Sequence, residues 1–497
     1  MTEGASPGKS PGVGQRSLFF SVFPSIMLPM FLAVIDQTIV ATALPAIAAT
    51  LGGVERVSWV VISYLVAGTV AAPVYGQLGD MFGRRRMMFI ALPIFLAASL
   101  CCAFATSIEM LALARVLQGL GGGGLMTLSQ ALVGESVPPR ERGRYQGYLA
   151  AVVVSSNSFG PVAGGYLTQN FGWRSVFLIN LPLGVLAILL TIRLRARAGA
   201  YGGQRFDGGG LVLFVLFVAP TLFALQRMQH LELGALPYIA GLFVLAVGSL
   251  TLLLRHERRS KSPLLPIGLL RQPAIWRSDA LAACHGAALV SLITFMPIYL
   301  RVTRGMSASE TGLLLVPLTI GIGVGSMITG RVISRTGRTS VLPSYGLIFV
   351  TMALVFLALA APRLSPSGLG WVLLCNGLFM GTVMGVVQIN VQSVAGPQML
   401  GVAAGSVQFS RSVGAAFGTA IVAAVLFAML ALRDAEASRV FASMVQEGAD
   451  ILHRLPAERQ GVLRSEFNEA FRAAFLSMAA FSTLGFVLAW STPVRRI

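Results

Sequence analysis

Trp59 to Ala105 reads WVVISYLVAGTVAAPVYGQLGDMFGRRRMMFIALPIFLAASLCCAFA. Two apolar runs of about 20 residues flank a short loop that carries Asp80 and three consecutive arginines, Arg84, Arg85 and Arg86. A helix rising ~1.5 Å per residue needs about 20 residues to cross ~30 Å of hydrocarbon, so each run has the length of one crossing. The loop between them is then a tight turn at one membrane face. The same pattern recurs in both directions from this stretch. Spans read near 18–50, 58–78, 87–105, 107–133, 144–167 and 173–192, then 208–226 and 236–254, and finally 274–300, 308–333, 340–361, 369–394, 400–430 and 468–491. The expectation is an all-α membrane protein with 14 transmembrane helices.

Composition agrees. Hydrophobic residues make up 55% of the 497 and charged residues only 11%, with a mean hydropathy of +0.77, too apolar for a surface that faces water. A net charge of +18 raises nucleic acid as a partner, but the basic residues lie between the apolar runs. With the N-terminus inside, 23 of the 37 Lys and Arg fall in cytoplasmic loops and 12 in outer ones. That bias sets both termini in the cytoplasm and accounts for the charge without nucleic acid. Cys101, Cys102, Cys284 and Cys375 sit inside apolar runs and read as small hydrophobes, not as a disulfide or metal framework. Met1 to Arg16 is rich in Gly, Pro and Ser without the apolar core of a signal peptide.

The expected organisation is a cytoplasmic tail over 1–17, a six-helix bundle over 18–200, two additional helices over 201–256 and a second six-helix bundle over 257–497. An internal repeat marks the two halves. GQLGDMFGRR (Gly76 to Arg85) ends the second span and GRVISRTGRT (Gly330 to Thr339) ends the tenth, with Ser334 in the second copy where the first has Asp80. An outer loop over 431–467 places Phe441, Met444, Val445, Ile451 and Leu455 at helical spacing. It reads as a solvated surface helix, with a membrane-surface or partner-facing helix as the alternative.

Deep in the spans, readily charged side chains are few: Asp36, Arg115, Arg411 and His285. A mid-bilayer charge costs roughly 2.5–3.5 kcal/mol on insertion scales, so such residues are expected to face a cavity and to mark an ion path. Asp36 is the only acid at that depth and is the candidate proton carrier; Arg115 falls at a similar depth on the fourth span. A fixed cation near a titrating acid links proton release to substrate entry. Asp279 lies nearer a helix start, where the dipole and water favour a carboxylate. Tyr64, Asn157, His285, Gln388, Asn390, Gln392, Gln408 and Arg411 are candidates to line a substrate cavity, although polar residues also bond helices to one another. Gly160, Gly164 and Gly165 permit close helix approach and Pro161 a kink.

Together these motifs resemble the major facilitator superfamily, and within it the fourteen-helix drug:proton antiporters. AVIDQTIVATALP (Ala33 to Pro45) is similar to the first-helix motif, with Asp36 at its acidic position, and GQLGDMFGRRR to the cytoplasmic loop motif, through Gly76, Asp80, Gly83 and Arg84. LALARVLQGLGGG resembles the fourth-helix motif with Arg115 and Gly119, and SSNSFGPVAGGYL the fifth-helix antiporter motif with Gly160, Pro161, Gly164 and Gly165. The resemblance implies a major facilitator fold, two six-helix bundles with two extra helices between them. It also implies alternating access, a loop motif that latches the outward state, and Asp36 and Arg115 linking protonation to export of hydrophobic or amphipathic compounds. No cofactor beyond the proton motive force is implied. The partners are membrane lipid, protons, a small-molecule substrate and, as one option, a periplasmic adaptor, with the chain in a bacterial inner membrane. Rival readings are a proton-coupled transporter of a specific lipid, siderophore or metabolite, a nutrient symporter, and a membrane sensor that moves nothing. Enzyme motifs fail: GASPGKS (Gly4 to Ser10) has its glycines too close for a phosphate loop, and His256-Glu257 lacks the second His of a zinc protease.

Overall fold

The computed structural model describes residues 12–52, 56–194, 206–228, 236–260, 262–433, 435–447 and 456–496. The GASPGKS segment and part of the tail lie outside them. The first half comprises α1 (Gly12–Leu51), α2 (Trp59–Phe82), α3 (Arg84–Ala103), α4 (Ile108–Ser136), α5 (Pro139–Phe171), α6 (Ser175–Leu178) and α7 (Asn180–Ile192). Only Ile179 separates α6 from α7, and the two make one crossing. An inserted pair follows, α8 (Gly208–Met228) and α9 (Leu236–Glu257). The second half comprises α10 (Ile267–Leu270), α11 (Pro273–Val302), α12 (Ala308–Thr336), α13 (Val341–Ala360), α14 (Pro366–Ala395), α15 (Leu400–Arg433), α16 (Ala435–Glu447) and α17 (Ala457–Ser491).

Thirteen spans among the described residues are long and apolar enough to cross a membrane. α5 is the fourteenth: its 33 residues suffice in length, but Ser155, Ser156, Asn157 and Ser158 lower its apolarity, and it packs on α1 to one side and α12 to the other. Large apolar side chains that nothing covers, such as Leu113, Val244 and Trp371, form the band that lipid would meet. Serines set the starts of three helices at one end of the molecule. Ser107, Ser307 and Ser365 accept from the backbone N–H of Met110, Glu310 and Gly368, and Glu310 returns a bond to the Ser307 N–H. The opposite end carries Arg84 to Arg86, Arg140 to Arg144, and Arg331 to Arg338, and is called the basic end below.

Each half has its own core. Phe23, Met30, Phe95 and Leu125 anchor the first, and Tyr299, Phe471 and Phe475 the second. Within the inserted pair, α8 packs on α2 and α15 through Phe214, Val218 and Phe409, and α9 packs on α8. The outer loop differs from the expected solvated helix, because Ala437, Phe441 and Met444 of α16 are buried in the core of the second half against α15 and α17. Its apolar stripe finds protein rather than water. α17 also begins at Ala457, earlier than the expected 468. Ile451 and Leu455 lie outside the described residues.

The halves meet along α2–α15 and α5–α12, and glycines show where. At the basic end, a Cβ on Gly76 would strike the Gly401 backbone, one on Gly330 the Gly143 backbone, and one on Gly147 would come 3.0 Å from the Ser326 carbonyl. Gly165 of α5 and Gly312 of α12, toward the other end, have nothing within 4 Å. The halves are closed on each other at the basic end and part toward the opposite one.

Candidate functional site

Asp36 and Arg115 form an ion pair, and both side chains are almost wholly buried. Asp36 Oδ1 also accepts from Gln118 Nε2 at 2.9 Å and from Asn180 Nδ2 at 2.7 Å. Arg115 donates through Nη1 to Gln118 Oε1 at 2.8 Å and through Nε to the Val60 carbonyl at 3.2 Å. Its guanidinium lies 4.2 Å from the Tyr64 ring centroid. Ser99 closes the network, accepting from Gln118 and Asn180 and donating to the Phe177 carbonyl. Five helices converge here because small residues let them: a Cβ on Gly119 or Gly122 would collide with Tyr64, and one on Gly123 with Gly68.

The expectation that these charges face a cavity is corrected. Asp36 is enclosed by protein, and it is tolerated because the Arg115 guanidinium and the Gln118 and Asn180 amides stand in for water. Tyr64 likewise does not line an opening; its hydroxyl donates to the Ala33 carbonyl at 3.0 Å. Gln118, Asn180 and Ser99 were missed. Gln118 was within reach, since it sits three residues after Arg115 on the same helix face.

A second constellation stands at the basic end. Gly83, with φ 94°, makes a one-residue turn between α2 and α3 that a side chain would strain. The turn brings Arg84 back onto Asp80 in an ion pair, and Arg84 also pairs with Glu135 at the end of α4. Asp80 accepts the backbone N–H groups of Gly401 and Val402, each at 2.9 Å, so a carboxylate of the first half caps the first turn of α15 in the second. The repeat copy has no such cap. Ser334 bonds back to the Gly330 carbonyl at 2.9 Å, and there the halves meet by bare backbone at Gly143 and Gly330. Glu135 was another residue missed.

Of the remaining candidates, His285, Gln408 and Arg411 come together where α11 meets α15, and the others scatter. Gln392 donates to the Gln130 carbonyl at 3.0 Å, joining α14 to α4 at the basic end instead of lining an opening. Gln408 is buried with Nε2 3.9 Å from Met126 Sδ, and Arg411 donates to its Oε1. His285 is buried with Nε2 3.1 Å from the Met380 carbonyl. Gln388 and Asn390 are buried, and Asn157 and Arg411 are half-buried. Gly160 and Gly164 of α5 abut Thr38 and Thr42 of α1, while Gly165 packs on nothing and Pro161 leaves α5 unbroken. Asp279, expected near water at a helix start, is 9% exposed on the second turn of α11.

A family model described as Major Facilitator Superfamily matches residues 26–419. The chain is 32% identical over 470 residues to an uncharacterized MFS-type transporter of Mycobacterium tuberculosis, covering 94% of this chain and 68% of that one. It is 31% identical over 421 residues to the multidrug transporter protein MdtP of Bacillus subtilis, covering 83% and 76%. Among solved structures, the human organic anion transporter MFSD10 matches with a TM-score of 0.65 at 15% identity, over 95% of this chain and 99% of that one.

Proposed function

The chain belongs to the major facilitator superfamily, and on that premise we propose that it is a proton-coupled antiporter that exports hydrophobic or amphipathic compounds by alternating access. Membership makes it a multi-pass membrane transporter and not an enzyme. The observation that carries the proton-coupled reading is the buried Asp36–Arg115 pair. Protonating Asp36 cancels the charge that Arg115 neutralises, so binding a proton and loosening α4 from α1 are energetically linked. Multidrug transporters of about 30% identity, MdtP among them, support the substrate class.

The excess of basic residues in the loops of the basic end supports a cytoplasmic location for that end and for both termini, in a bacterial inner membrane. On that orientation the halves are closed toward the cytoplasm and parted toward the outside, with Asp80 holding the gate. Protons entering from outside would displace Arg115 from Asp36 before the outer opening closes. One proton moving down ~100 mV supplies about 2.3 kcal/mol, and a pH gradient adds to it. The test is transport of tetraphenylphosphonium, a hydrophobic cation, by the purified chain in vesicles with an imposed pH gradient. Accumulation against the cation's gradient, lost when the pH gradient is collapsed, supports antiport; inward accumulation together with protons favours a symporter, and saturable binding without flux favours a sensor.

A further inference from the structure

Of the five acids buried among the described residues, Asp207 and Glu257 belong to the inserted pair, and the three within the helices of the two halves, Asp36, Asp80 and Asp279, are not treated alike. Asp36 faces a guanidinium and two amide donors, and Asp80 a guanidinium and two backbone N–H groups. Asp279 meets one donor among the described residues, the Ser406 hydroxyl, at 3.4 Å from Oδ1. That hydroxyl also lies 3.1 Å from the Ala403 carbonyl, the nearer acceptor. One hydroxyl hydrogen does not serve both acceptors well.

Among the described residues the surroundings offer no further charged partner to an anion. Ile275 and Ala282 of α11, Val383 and Val387 of α14, and Ala403 and Val407 of α15 belong to one apolar cluster around this level. α14 and α10 carry no Asp, Glu, Lys, Arg or His. The charges of α17 end at Arg472, nearer its opposite end, and α16 lies at that far end too. Arg331 and Arg335 of α12 are exposed, while its Glu310 caps the opposite end. On α15, Arg411 is five residues farther along and is engaged with Gln408. On α11 itself, Arg277 turns outward to the Ser491 carbonyl, and His285 is bonded to the Met380 carbonyl. An ionised carboxylate here would be buried and unpaired, which proteins avoid. A neutral carboxyl would donate its O–H to Ser406 Oγ, and Ser406 would donate to Ala403, placing both hydrogens.

We propose that Asp279 is a second proton-coupling carboxyl, protonated while the gate at the basic end is shut and deprotonated when that gate opens. Position provides the link to the gate. Ser406 follows the first turns of α15, the segment that Asp80 caps and whose Gly401 and Gly405 touch α2 at Gly76 and Ala72. Withdrawal of α2 from α15 uncovers that segment, and water then has a route to Asp279 from the basic end. The inference rests on the proton-coupled reading above, and the experiment separates the two.

Proteoliposomes holding the full chain and a trapped pH dye would be used to count protons leaving per tetraphenylphosphonium ion accumulated. Asp279→Asn is expected to move fewer protons per cation than wild type while still equilibrating the cation downhill. If wild type couples and Asp279→Asn couples with the same ratio, this inference fails alone; if wild type accumulates the cation without protons, the antiport reading fails first. Infrared spectra of the protein without substrate read the protonation state apart from any transport. The carbonyl stretch of a protonated carboxyl is expected in wild type and Asp36→Asn at neutral pH, to vanish in Asp279→Asn, and to change frequency in Ser406→Ala. A band unaffected by both the Asp279 and the Ser406 substitutions would overturn the proposal even if one variant folded poorly.

Discussion

Asp36 and Arg115 hold each other in a site with almost no exposure, so removing one partner leaves a buried polar group unpaired. Arg115→Gln or Asp36→Asn is expected to cost about 3–5 kcal/mol of stability, the usual penalty for breaking a buried pair. The double variant is expected to cost less than the two single losses summed, because the pair acts as a unit. Thermal unfolding in detergent measures this, and single variants that melt with wild type would contradict the description of the site. The two charges were legible in the sequence because a mid-membrane charge is costly enough to need a reason. Gln118, Asn180 and Ser99 were not, since uncharged polar residues occur throughout these spans and only packing shows which of them converge. Asp279 was misjudged for a related cause. Residue count put it near a helix start, but neighbouring helices, not distance along α11, determine whether water reaches it.

Asp80 contributes a charge to the first turn of α15 and two charge-assisted hydrogen bonds across the halves. Asp80→Asn is expected to shift the closed state by about 1–2 kcal/mol, a factor of roughly 5–30 in population. Distances between spin labels at the α2–α3 and α14–α15 turns would read the shift, and turnover should slow with substrate affinity preserved. A large loss of affinity at normal turnover would count against a gate. At the repeat-related contact, Gly330→Val puts a side chain into the Gly143 backbone and is expected to keep the basic end from closing, seen as longer α5–α12 distances. An unchanged distance distribution would refute that reading. The loop motif announced its own position through Gly83, Asp80 and Arg84. The Gly143–Gly330 contact did not, because a glycine in an apolar helix looks the same whether it meets a backbone, a side chain or, as with Gly165, nothing.

For the molecule as a whole, helix number, the internal repeat and the inserted pair followed from lengths of apolar sequence and from the placement of basic loops. α5 is the crossing that apolarity understates, because part of its surface faces the opposite half rather than lipid. α16 was the reverse case, an amphipathic stretch whose partner proved to be the chain's own core. On the proposed antiport reading one exchange unites the parts, with a proton loosening the first half while the gate at the basic end decides which side the substrate meets. The direct test uses vesicles with the basic end facing out and an acidified interior, comparing wild type with Asp36→Asn for tetraphenylphosphonium. Wild type is expected to accumulate the cation as the interior loses acid, and Asp36→Asn only to equilibrate it. Equal accumulation by Asp36→Asn, or wild-type accumulation that survives collapse of the pH gradient, would contradict proton-coupled export through this site.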